Sequence, residues 1–185
     1  MNAYELPTSL TVGEVVYPIN YGWRTAVEIF QAMNNPNLSY VVRLAAMVRM
    51  LFPDWEKIPQ ENIMEAVEKA SGFLDCGSPR EKTKKPRMMD WEQDAGIIIP
   101  AVNAVAGQDV RLDPNIHWWT FFGWYMGIND SMFSSVLRIR QKKAKGKTLD
   151  KQEQEFYRDN KSMIDLQKIE SDEVRQEKEN MLKWL

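Results

Sequence analysis

The chain has 185 residues, a formal net charge of −2, and 44% hydrophobic and 27% charged residues. That composition suits a soluble globular protein long enough to bury a core. The near-neutral charge excludes a global basic field of the kind that holds nucleic acid, and the one cysteine, Cys76, excludes an intramolecular disulfide framework and fits a reducing cytoplasm. The opening Met1-Asn2-Ala3-Tyr4-Glu5-Leu6-Pro7 has neither the basic nor the apolar region of a signal peptide. No run of about 18 apolar residues offers a membrane span.

In chain order, residues 1–20 read as β. Leu10-Thr11-Val12 and Val15-Val16-Tyr17 flank Gly13-Glu14, a two-residue hairpin turn, and Pro18 ends the second run or marks an edge. Residues 21–76 read as three helices. Ala26, Ile29, Phe30 and Met33 share one face, and Asn34-Asn35-Pro36-Asn37 stops that helix. Ser39 caps the next, which carries Val41, Leu44, Ala45, Val48, Leu51 and Phe52 until Pro53 closes it. Ile63, Val67, Ala70 and Leu74 define the third. Residues 77–88, polar, basic and aperiodic, read as a mobile loop.

Asp90 with Gln93 resembles a capping box, so a helix is expected to start there and to carry Trp91, Ala95, Ile98, Val102 and Val105 on one face. Pro100 is expected to kink or split it, and Gly107 to end it. An aromatic helix follows at about 115–126, then a helix capped by Asp130 or Ser131 and running to about Lys143. A basic turn, Ala144 to Lys147, leads to a helix from Leu149 to about Asn160, capped by Thr148. The fold class expected is α+β, predominantly α-helical: a helical bundle with a small N-terminal β-hairpin. It forms a single domain over 1–160, followed by a charged helical tail at 161–185 with a thin apolar stripe.

Two segments carry the candidate functional residues. Ile116 to Met126 holds three of the seven tryptophans and the sole histidine. Aromatic side chains dominate cores and interfaces alike. His117, Trp118, Trp119, Phe121 and Phe122 read as core, whereas Trp124 is the surface candidate for a partner. The second segment concentrates Arg138, Arg140, Lys142, Lys143, Lys145 and Lys147 in ten residues. It reads as a solvated helix end or a face for an acidic protein, because no aromatics are interleaved to stack nucleic-acid bases. A lone histidine far from Cys76 supplies neither a zinc ligand set nor a triad. Asp90, Glu92 and Asp94 read as a solvated capping turn. The P-loop, dinucleotide-binding and nucleophile-elbow motifs are all absent, so a non-enzymatic protein without cofactor or metal is expected.

The order of certain short motifs resembles a known viral family. Tyr4-Glu5-Leu6-Pro7, Leu10, Val12, Val15, Tyr17-Pro18-Ile19-Asn20 and Arg24 are similar to its opening. Asp90-Trp91-Glu92-Gln93-Asp94-Ala95, Gly107-Gln108-Asp109-Val110-Arg111-Leu112 and Ile116-His117-Trp118-Trp119-x-Phe121 resemble its second half. Phe156, Tyr157, Asn160 and Lys161 resemble its closing helix. The family is that of bacteriophage gene product 15, small tail-region proteins of tailed phages and prophages of Gram-positive bacteria. The resemblance spans about residues 4–165; 131–147 match it poorly and 39–76 only generically. It implies a tail assembly chaperone in the host cytoplasm, with the tape measure protein and the major tail protein as partners, self-association open, and no membrane partner. The alternatives are a structural neck or tail-completion component and, from another class, a nucleic-acid-binding regulator using 138–147.

Overall fold

In a computed structural model of the chain, residues 4–78, 86–167 and 176 are described. The chain divides into two compact units, one made of Met1–Ser78 with Lys168–Leu185 and one of Pro79–Gln167. The fold is α+β and mainly helical, with a two-stranded antiparallel sheet near the N-terminus.

The first unit starts with β1, Ser9–Val12, paired to β2, Val15–Pro18, so that Leu10 lies opposite Tyr17 and Val12 opposite Val15. Gly13 makes the turn possible. Its φ is +61°, a left-handed conformation that favours glycine; a Cβ there would also press on the Asn62 side-chain amide, which could swing aside. The Gly13 N–H donates to Glu65 Oε2 at 2.8 Å. Leu10, Val12 and Tyr17 point inward, and the Tyr17 ring meets Phe52 edge-on at 6.4 Å.

Among its described residues this unit also has three α-helices: α1, Trp23–Asn34; α2, Tyr40–Leu51; and α3, Ile63–Leu74. They bury Trp23, Ala26 and Ile29, then Met47, Val48 and Leu51, then Ala66, Val67, Ala70, Phe73 and Leu74. Burying a side chain such as Phe73 is worth about 1.5–3 kcal/mol. Ser39 caps α2 by accepting the Val42 N–H at 3.4 Å. Only the second half of α2 is covered; Tyr40, Val41 and Val42 stand exposed. The end of α3 is a Schellman closure, with Gly77 N–H to Gly72 O at 2.8 Å and Cys76 N–H to Phe73 O at 3.0 Å. Cys76 takes the left-handed position at φ +53° that glycine usually fills.

The second unit contains α4, Ala95–Ala106; α5, Trp118–Met126; α6, Met132–Ala144; α7, Lys151–Asp159; and α8, Lys161–Ile164. Its core is Ile98, Ala101 and Val102 of α4, Trp118 and Phe121 of α5, Phe133, Val136 and Ile139 of α6, and Ile164 of α8. Capping boxes open α6, through Ser131 and Ser134, and α7, through Asp150 and Glu153.

Local expectations differ from the structure at four points. The helix expected from Asp90 starts at Ala95: Asp90 Oδ1 accepts the Glu92 and Gln93 N–H groups, which folds 90–94 into a turn first. Pro100, expected to kink or split α4, lies inside a helix that continues unbroken from Ala95 to Ala106. Asp150, rather than Thr148, caps α7, because its carboxylate accepts the Glu153 N–H at 2.9 Å. Residues 161–167 belong to the second unit rather than to a tail, since Ile164 is buried against Val136 and Ile139. The expected tail beyond Gln167 and most of the expected mobile loop fall outside the described residues. Among the described residues, no helix is long and apolar enough to cross a membrane.

Candidate functional site

The aromatic helix α5 begins with His117, whose side chain does a backbone task. It is buried, and its Nδ1 accepts the Trp119 N–H at 3.0 Å, which satisfies a donor of the first turn. Trp118 and Phe121 are fully buried. Trp91 reaches over from the preceding turn, 6.1 Å from Trp118, 6.4 Å from Phe121 and 5.5 Å from Tyr125. Phe122 stacks on Tyr125 at 5.8 Å, and Tyr125 meets Phe133 of α6 at 5.7 Å. Trp119, Phe122 and Trp124 are half-buried, so this helix turns Trp118 and Phe121 fully inward and leaves the other rings at the margin.

The Tyr125 hydroxyl donates to Met89 Sδ at 3.0 Å. Burial, reinforced by the negative charge of Asp94, pushes its pKa up to about 12. In the first unit, burial and then Asp75 push the Cys76 thiol up to about 12, which suppresses the reactive thiolate.

The basic run is resolved into ion pairs and hydrogen bonds. Arg140 is buried, with all five N–H donors used. Nη1 and Nη2 reach the two Asp94 carboxylate oxygens at 2.6 and 2.8 Å. The remaining donors go to Met88 O at 3.0 Å, Met163 O at 2.8 Å and Ile164 O at 2.7 Å. Asp94 is also buried and accepts the Asp90 N–H at 2.9 Å. Lys142 donates to both oxygens of buried Glu153 at 2.6 Å. Lys143 donates to Asp165 at 2.5 Å and to Tyr157 Oη at 2.7 Å. Burial pulls the Lys143 pKa down, but the hydrogen bonds to Asp165 and Tyr157 outweigh it and hold the value above ordinary. Arg138 is more exposed and lies 3.8 Å from Glu153, and Lys145 is exposed.

Arg140 is therefore not placed to meet a partner from solution, which corrects its reading as part of an exposed basic face. The reason is geometric: Phe133, Val136 and Arg140 recur at i, i+3 and i+7, which turns the guanidinium into the core. That spacing was the available sequence signal. It implies a buried anion, and Asp94, read only as part of a solvated capping turn, supplies it from 46 residues away. The structure brings Arg138, Lys142 and Glu153 together at the α6–α7 contact, and keeps Trp124 on a different helix. Among the described residues, no group of three or more His, Cys, Asp or Glu side chains is placed to hold a metal ion.

No curated protein and no solved structure matches the chain. A family model described as Bacteriophage Gp15 protein matches residues 3–166, from before the hairpin to just beyond α8. That match covers most of the chain, so the chain belongs to the bacteriophage Gp15 protein family.

Proposed function

We propose that this phage protein serves tail morphogenesis as a non-enzymatic tail assembly chaperone, binding the tape measure protein and tail-tube subunits in the host cytoplasm. The observation that carries the reading is apolar side chains left in water on structured helices. Tyr40, Val41 and Val42 are 69%, 74% and 47% exposed at the start of α2, and Met126 is 67% exposed at the end of α5. Single exposed apolar residues are unremarked in any protein, but three in succession on one helical turn suit transient contact with an apolar helical client. Met126, unbranched and adaptable, is a second exposed apolar side chain of this kind.

The test is co-expression with the tape measure protein, followed by fractionation and mass spectrometry of purified particles. The chaperone reading expects more soluble tape measure protein, recovery of a complex, and absence of this chain from finished particles. Unchanged solubility with no co-purification refutes it. Stoichiometric retention in particles favours the neck or tail-completion reading instead. Salt-sensitive retention on DNA that is weakened by neutralising Lys142, Lys143 and Lys145 favours the regulator.

A further inference from the structure

We infer that segments 86–94 and 163–167 form one latch that opens and closes as a unit, with Arg140 as its shared bolt. The two segments are where the chain enters the second unit and where it leaves. They are joined by side chains reading backbone rather than by secondary structure. The Gln93 side-chain amide donates to Asp165 O at 3.0 Å and accepts the Gln167 N–H at 2.9 Å, pairing with the exit segment much as a neighbouring strand does. Arg87 donates to Gln167 O at 3.0 Å and to the Asp90 carboxylate. Asp90 in turn holds the turn that presents Gln93. Arg140 donates to Met88 and Asp94 on the entry side and to Met163 and Ile164 on the exit side.

A single guanidinium with every donor spent cannot lose half its acceptors without leaving buried N–H groups unmatched. Opening either segment therefore removes the reason for the other to stay closed. From the outside, Lys143 and Tyr157 clasp the Asp165 carboxylate at 2.5 and 2.9 Å, a contact at the solvent margin that can be loosened without disturbing the core. Release of 163–167 also lifts Ile164 from its contact with Val136 and Ile139, which sets the cost of opening, and frees up to about 17 Å of extended chain.

Hydrogen exchange read by mass spectrometry on the full chain tests this, because both segments carry hydrogen-bonded amides: Asp90, Gln93 and Asp94 on one side, Ile164, Asp165 and Gln167 on the other. Lys143→Gln touches only the exit side. It is expected to speed exchange about threefold in 163–167 and by the same factor in 90–94, with α5 amides unchanged. Gln93→Ala removes two bonds and is expected to speed both segments about tenfold. Acceleration confined to 163–167 in Lys143→Gln overturns the inference, as does no change in either variant. If α5 amides accelerate equally, opening is global and the latch is not a separate unit, which also overturns it.

Discussion

Removing one member of the Asp94–Arg140 pair is expected to destabilise the second unit by about 3–5 kcal/mol, because the survivor stays buried without its counter-charge. The Arg140 and Asp94 side chains are 5% and 1% exposed and meet through two bonds, at 2.6 and 2.8 Å. At an effective dielectric of about 20, unit charges some 4 Å apart attract by about 4 kcal/mol. Arg140→Met also strips Met88, Met163 and Ile164 carbonyls of a donor, each worth about 1 kcal/mol if water does not replace it. Arg140→Met, Asp94→Leu and the double variant form a cycle, read by urea unfolding followed through tryptophan fluorescence. The expected coupling is about 3–4 kcal/mol, with the double variant more stable than the sum of the singles implies. A coupling below about 1 kcal/mol, typical of an exposed pair, refutes the buried pairing.

Trp118→Ala is expected to cost about 3–5 kcal/mol, whereas Trp124→Ala costs about 1–2 kcal/mol and leaves circular dichroism unchanged; equal losses in the same urea titration contradict the inward placement of Trp118 alone. Tyr125 gives a pH signature. Its folded pKa of about 12 lies above its ordinary value of 10, so its contribution is complete below pH 10 and is lost as pH rises from 10 toward 12. The difference in urea midpoint between the parent and Tyr125→Phe should therefore shrink over that interval, and a pH-independent difference refutes the shift.

Hydrophobic periodicity made the first unit legible. Leu10, Val12 and Tyr17 about Gly13, the Ser39 cap, and the 63-67-70-74 spacing all locate real elements. In the second unit, a polar network outranked periodicity. Trp91 satisfies a helical pattern, yet it sits in a turn because Asp90 captures the Glu92 and Gln93 amides and Asp94 is drawn inward to Arg140. A charge cluster looks the same in sequence whether its partners are water or acids. Arg140, Lys142 and Lys143 find theirs at positions 94, 153 and 165, distances in sequence that no local window connects. The aromatic helix was legible as buried, but which rings finish at its margin depended on how α4 and α6 cover it.

The proline in α4 constrains where a partner can land. Pro100 has no N–H to offer the Gly96 carbonyl, and both residues lie on the exposed face of the helix. Water can serve that oxygen for as long as the face stays wet. A protein that covered residues 96–100 with hydrocarbon would leave the carbonyl stranded, at about 1–3 kcal/mol, unless it brought a donor of its own. A partner landing on residues 96–100 therefore gains by bringing a donor to that oxygen.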